Sequence, residues 1–349
     1  MRRRTLQHLL IVFSVVLAFS FAFNAYVFYS FEERFSSLNH QEVVRPEFTG
    51  LVDSAAFERV ASKVTPSVVA IEAGDSQGSG IVYRDDGIIL TNFHVINNAN
   101  NTRAPIRVTL PDKRIFRAEV IGTDQLTDVA LLRVNATDLP VAQFGDSDAL
   151  RVGEPIVAIG SPFGFTSTVT TGVISAKHRN AGPTEYRDYL QVDASINPGN
   201  SGGPLVNLKG EVVGLNTFIV SSQVAGELGF AIPSNLFQEI IERLLNDGKV
   251  VRGYLGVQVR DDIRFDENGN GHILNGSLVT GLLEDGPSSK AGLKIGDLII
   301  DLNNETIDSS NTLRNVVALI SPGDGVLVTV LRNETRRDFV VKLAERPES

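Results

Sequence analysis

Between Ser67 and Pro233 the chain runs through about a dozen short segments rich in β-branched residues, among them SVVAIEA, GIILTN, VALLRV, PIVAIG, YLQVDAS and EVVGLNTFIV, punctuated by Gly, Asp, Asn and Pro. Runs of roughly four to eight residues at this density predict antiparallel strands closed into a barrel or sandwich. They leave no room for the crossover helices that a parallel sheet needs. Helical spacing flanks the strands: Phe57, Val60, Ala61 and Val64 before Pro66, then Leu236, Phe237, Ile240, Ile241, Leu244 and Leu245 within 234–246, which Asp247-Gly248 closes. After Arg252 a second, mixed module begins. It has strands around 254–259, 278–283, 298–303, 326–331 and 337–343, and a helix over 312–320 with Leu313, Val316, Val317 and Ile320 on one face. The expected organisation is one β domain over 54–250 and an α+β domain over 251–346.

The first 53 residues belong to neither. From Thr5 to Phe31 there is no Asp, Glu, Lys or Arg, and 9–29 is almost wholly apolar. About 20 such residues at about 1.5 Å each cross a hydrocarbon core roughly 30 Å thick. Arg2, Arg3 and Arg4 before the run and Glu32 and Glu33 after it predict an anchor over 1–31 with its N-terminus in the cytoplasm, followed by a stalk over 32–53. A cleaved signal peptide is the rival reading, with Ala18-Phe19-Ser20 as cleavage site, but the apolar run continues for some ten residues past it. The functional domains are then expected on the outer side of the membrane. Setting Arg2, Arg3 and Arg4 aside from 32 basic groups leaves 29 against 41 acidic ones, a charge of −12 beyond the anchor. That argues against nucleic acid as a partner. The absence of cysteine excludes a disulfide scaffold, thiolate-bound metals and a cysteine nucleophile.

Gly199-Asn200-Ser201-Gly202-Gly203-Pro204 is the most informative segment. A serine hydroxyl attacks only when a base removes its proton, and the tetrahedral intermediate needs donors aimed at its oxyanion. The flanking glycines let the N–H groups of Gly199 and Ser201 point into one hole, each donor worth roughly 3 kcal/mol. Of five histidines, His8 flanks the anchor, His40 lies in the stalk, His178 among basic loop residues and His272 in an acidic turn. His94, at the end of the apolar strand GIILTNFHVI, is the candidate base. Asp128, opening the VALL strand, is the candidate orienter, because an unpaired carboxylate there would be costly to bury. The order His94, Asp128, Ser201 matches chymotrypsin-type barrels. The α/β-hydrolase order would need a later histidine, and only His272, in the next module, follows Ser201.

TNFHVI, LTDVALL and INPGNSGGPL together resemble the HtrA family of trypsin-like serine proteases, and the likeness extends through GFAIP and RGYLGV over roughly 54–345. An N-terminal anchor with one C-terminal PDZ module is most similar to the DegS-like, membrane-anchored branch. The resemblance implies a mainly β fold, a chymotrypsin-like double β-barrel followed by one α+β PDZ domain. It also implies a homotrimer, catalysis without ATP, metal or other cofactor, and the triad at His94, Asp128 and Ser201. Members of that branch cut a membrane-spanning anti-sigma factor when the PDZ module senses exposed C-termini of misfolded outer-membrane proteins. Arg179, in the loop between TGVISA and YLQVDAS, matches an arginine of the activating loop, and Leu228 in GELGFAIP lies where the family builds the S1 wall. The loop EAGDSQGS between Ala70 and Gly80 is much shorter than in cage-forming relatives, which favours a sensor over a degradative machine.

Tyr254-Leu255-Gly256-Val257 stands where PDZ modules carry a carboxylate-binding loop. Backbone N–H groups there hold a terminal carboxylate, the peptide adds a strand, and the helix over 312–320 walls an apolar pocket. Residues 266–271 (DENGNG) copy half a calcium loop, but Ser277 stands where the bidentate Glu is required, so a polar turn is expected instead of a metal site. Two alternatives remain beside the gated peptidase: a general quality-control protease degrading unfolded proteins, and a PDZ chaperone or adaptor whose barrels are catalytically silent.

Overall fold

A computed structural model of the chain describes residues 54–347, apart from 103, 162–166, 183, 198, 223–225, 266–270 and 274. The expected anchor and stalk lie outside the described residues. Among those described, no helix is long and apolar enough to cross a membrane.

Helix α1 (Ser54–Val64) leads into β1 (Val68–Ala73), β2 (Ser76–Arg84), β3 (Ile88–Thr91), helix α2 (Phe93–Thr102), β4 (Ile106–Thr109), β5 (Ile115–Asp124) and β6 (Val129–Val134). These strands close in the order β1-β2-β3-β6-β5-β4. A second barrel follows from β7 (Pro155–Gly160), β8 (Thr168–Arg179), β9 (Tyr189–Val192), β10 (Pro204–Asn207), β11 (Val212–Ser222) and β12 (Gly226–Pro233), in the order β10-β11-β12-β9-β8-β7. The apolar runs are continuous because central strands are buried on both faces. Ile89, Ala130 and Leu132 fill the first barrel, while Ile88, Leu90, Val129 and Leu131 point outward into a core shared with Leu215, Phe230 and Ile232 of the second. Helix α3 (Ser234–Asp247) lays Phe237, Ile240, Ile241 and Leu244 on that same junction, and ends where Gly248, at φ 71°, donates its N–H to Leu244 O.

The C-terminal module runs through β13 (Gly253–Tyr254), β14 (Val257–Arg260), β15 (Ile263–Phe265), β16 (Gly271–Ile273), β17 (Ser277–Leu282), α4 (Pro287–Ala291), β18 (Leu298–Leu302), β19 (Glu305–Thr306), α5 (Ser310–Leu319), β20 (Gly325–Arg332), β21 (Thr335–Lys342) and β22 (Ala344–Glu345). Its main sheet is ordered β14-β17-β18-β20-β21, and the Ser309 side chain caps α5 by accepting from Thr312 N. The mainly β double-barrel and PDZ architecture is as expected.

Four local expectations change. The strand expected over 254–259 divides at Leu255-Gly256: Tyr254 pairs with Ala344, Val257 with Leu282, and Gly256 turns the chain at φ 71°. His94 sits in the first turn of α2 and not at a strand end, because β3 stops at Thr91. Arg179 is the last residue of β8, paired with Tyr189, and not within the following loop. The supposed loop EAGDSQGS is mostly strand. Glu72 pairs with Gln77 and Ala73 with Ser76, so only Gly74 and Asp75 connect β1 to β2, with Gly74 at φ 62°. Alternating small polar side chains concealed that pairing.

Candidate active site

The three candidate residues come from the first turn of α2, the turn before β6 and the turn before β10. Thr91 ends β3, and one residue later the chain enters α2, so His94 leans back over the start of β6. Its backbone N–H donates to Asp128 Oδ1 at 2.9 Å and its Nδ1 lies 2.8 Å from Oδ2. A carboxylate can only accept, so Nδ1 carries the proton and Nε2 keeps a lone pair. Asp128 is 6% exposed and held in the left-handed region at φ 62°, a conformation fixed by Asn92 Nδ2 and Phe93 N, which donate to its carbonyl at 3.0 and 3.2 Å. Thr217 Oγ1, from β11, donates to Asp128 Oδ2 at 2.6 Å. Three donors therefore meet one buried carboxylate and fix the imidazole's tautomer and plane.

Ser201 arrives from the turn before β10. Gly202 has φ 82°, and a Cβ there would lie 2.2 Å from Ser79 O and 2.4 Å from Thr91 Oγ1, so only glycine fits. Asn200 pins the turn: its Oδ1 accepts from Asn197 N at 3.0 Å, its Nδ2 donates to Ser195 O at 3.1 Å, and its carbonyl accepts from Gly203 N at 2.9 Å. Gly199, at φ 112°, is buried beside it. The Ser201 hydroxyl donates to the Thr217 carbonyl at 3.0 Å. Thr217 thus touches both ends of the constellation, Asp128 through its side chain and Ser201 through its backbone. No motif signalled it, since a threonine in a strand is ordinary.

Tyr189 of β9 is 2% exposed and packs edge-on against Phe218, ring centroids 4.9 Å apart. Its hydroxyl bonds to Thr184. Burial, with a contribution from the Asp128 charge, pushes its pKa up to about 12 against the relief from Thr184. Leu228, on β12 opposite Val220, is partly buried against the shared core. Arg179 donates Nε to Gln191 Oε1 at 2.9 Å and is exposed.

In the C-terminal module Tyr254, Leu255, Gly256 and Val257 line one side of a groove of ≈ 510 Å³, with Leu313 and Val317 of α5 opposite. Leu255 is 3% exposed and belongs to the module's core. Glu185 and Tyr186, from the segment between β8 and β9, form part of the same groove. Arg346 donates to Tyr186 Oη at 2.5 Å and to Glu185 Oε2 at 2.8 Å. Asn311 and Asn315 of α5 donate to Arg187 O at 2.6 and 3.1 Å. Arg252 forms a buried two-bond pair with Asp124, at 2.9 and 2.5 Å, and its guanidinium lies 4.5 Å from the Tyr186 ring centroid. Thr127, next to Asp128, also donates to Asp124. Sequence reasoning missed these contacts because each pair is distant in the chain.

Residues 78–215 match the trypsin-like peptidase domain family and residues 253–343 the PDZ domain family. A protein of Halomonas elongata described as "Probable periplasmic serine endoprotease DegP-like" is 42% identical over 277 residues, 78% of this chain and 57% of that one. One of the same description from Chlamydia trachomatis is 40% identical over 274 residues, 78% of this chain and 54% of that one. The chain therefore spans a little over half the length of these curated relatives. Among solved structures, the HtrA-type protease AlgW with a tripeptide is 36% identical with a TM-score of 0.71, over 84% of this chain and 98% of that one. A serine endoprotease from Yersinia pestis is 36% identical with a TM-score of 0.64, over 83% and 98%. Two barrels and a PDZ module in this order, together with solved structures at 36% identity matched over nearly their whole length, place the chain in the family of HtrA-type trypsin-like serine proteases.

Proposed function

We propose that the chain is a membrane-anchored, periplasm-facing serine endopeptidase, a homotrimer gated by its PDZ groove. Its substrate is a regulatory membrane protein of the anti-sigma-factor type, and its activators are C-terminal peptides of misfolded outer-membrane proteins. The observation that carries the peptidase reading is Thr217, whose hydroxyl holds the carboxylate paired with His94 and whose carbonyl holds the Ser201 hydroxyl, so that one residue links all three candidates. His94 Nε2 takes the Ser201 proton as Oγ bonds to the scissile carbonyl carbon. The N–H groups of Gly199 and Ser201 receive the oxyanion, and the protonated imidazole then gives its proton to the departing amine. Water repeats the sequence on the acyl-enzyme. Asp128 holds the imidazole and stabilises its charged form.

The gated reading is supported by the groove, whose wall includes Glu185 and Tyr186 of the barrel domain, so a peptide seated there meets both domains. Arg179 and Leu228 belong to this proposal as contributors to the activating loop and the S1 wall. The two-residue connection between β1 and β2 is too short for an assembly arm and favours a sensor. The DegP-like relatives support the second reading, a general quality-control protease.

The test is cleavage by the purified full chain of an anti-sigma-factor periplasmic domain and of casein, with and without peptides ending in a free aromatic residue. The gated reading expects peptide-dependent cleavage of the first alone, and peptide-independent digestion of both would replace it with the general protease. Ser201→Ala is expected to abolish cleavage and leave peptide binding unchanged. Cleavage retained in that variant would sink the assignment.

A further inference from the structure

Ser79, in β2 of the first barrel, is 0% exposed and spends every polar group it has at the junction. Its N–H donates to Ser201 O at 2.8 Å. Its hydroxyl donates to Gly199 O at 2.6 Å and accepts from Ser161 N at 2.8 Å, just after β7. Its carbonyl accepts from Thr91 Oγ1 at 2.7 Å, three residues before His94. One residue of the first barrel thus holds the carbonyls of both residues whose N–H groups would receive the oxyanion in the second.

The peptide units whose N–H groups face the oxyanion precede Gly199 and Ser201; those whose carbonyls Ser79 holds follow them. Rotation of the held units about the Gly199 or Ser201 backbone would swing the donating units out of line. Gly199 at φ 112° and Gly202 at φ 82° give this turn freedom on either side of Asn200, whose side chain ties it only to Ser195 and Asn197 of its own loop, so Ser79 is what holds it to the first barrel. The Ser201 carbonyl is held by Ser79's backbone, whereas the Gly199 carbonyl is held by its side chain. We infer that Ser79 is a positioning residue for the oxyanion site, acting through the Gly199 carbonyl. This rests on the peptidase reading above.

The consequence is a separation of chemistry from binding. Ser79→Ala keeps the backbone bond to Ser201, and with it the nucleophile's position, but it releases Gly199 and leaves the Ser161 N–H without its acceptor. A misaimed donor weakens the transition state and not the ground-state complex.

The test is inactivation of the full chain, in the presence of activating peptide, by a peptidyl diphenylphosphonate with valine at the reacting position. Its tetrahedral adduct places an oxygen where the oxyanion would sit. Wild type labelled at Ser201 and an inert Ser201→Ala control establish the peptidase reading independently, and an unlabelled wild type would sink that reading first. For Ser79→Ala the expected result is a limiting inactivation rate lower by about ten- to a hundredfold with the half-saturation constant within about twofold of wild type. A limiting rate within about twofold of wild type, or a loss confined to half-saturation, overturns the inference. Ser79→Cys, similar in size but with a weak donor, is read by the same criterion if the alanine variant does not accumulate as folded protein.

Discussion

Replacing Arg252 by methionine isolates the energetics of the junction between barrels and PDZ module. The guanidinium is 5% exposed and gives two bonds to an Asp124 carboxylate that is equally buried. Removing one partner of such a pair leaves a buried charge without its counterion, here held only by the Thr127 hydroxyl, at a cost of about 3–5 kcal/mol. For domains of this size that lowers the melting temperature by roughly 6–20 °C. The guanidinium's position over the Tyr186 ring adds to the loss by up to about 2 kcal/mol. Replacing both partners, as Asp124→Leu with Arg252→Met, removes the charge along with its counterion, and most of the loss should return. Thermal melts of wild type, the two single variants and the double close a thermodynamic cycle, in which a coupling of about 3 kcal/mol is expected. Two results refute the reasoning: an Arg252→Met melt within about 2 °C of wild type, or a double variant as unstable as the single losses combined.

Two further outcomes follow from the site. Gly202→Ala would place a Cβ 2.2 Å from Ser79 O, so phosphonate labelling of Ser201 should fall at least about a hundredfold, whereas Gly248→Ala, with open space around the new methyl, should cost only about 1 kcal/mol in a melt and leave labelling intact. Tyr189, with its pKa near 12 when folded and 10.0 otherwise, keeps its proton in the folded state at pH values where the unfolded chain has lost it. Its contribution to stability should therefore be constant below pH 10 and fall by about 2–3 kcal/mol as pH rises toward 12. Tyr189→Phe should remove that part of the alkaline slope in denaturant titrations, and an unchanged slope would count against it.

The candidate residues of the site are more legible in the sequence than their supports. Ser201, His94 and Asp128 stand out because glycine clusters and a charge at a strand start are costly unless used, and local pattern exposes such costs. The two-barrel strands are legible because β3 and β6 bury both faces, which makes unbroken apolar runs. Helix α2 is hidden because its asparagines are poor helix formers and tertiary contacts, including His94 with Asp128, decide its conformation. Ser79, Thr217 and Tyr186 are hidden for a different reason. Each acts through a partner far off in the chain, such as Asp128, 89 positions before Thr217, and no periodicity encodes such a distance.

Thr217 carries a kinetic implication of its own. The strand bulges between Asn216 and Phe218, so Thr217 sits at a discontinuity in the β11–β12 register while its hydroxyl holds Asp128 and its carbonyl holds the Ser201 hydroxyl. Any displacement of that one peptide therefore disturbs Asp128 and Ser201 together. On the proposed peptidase reading, intermediate activities would be averages over competent and incompetent molecules, not a uniformly weakened catalyst. An effector would then change the number of titratable active sites and leave the rate per competent site constant.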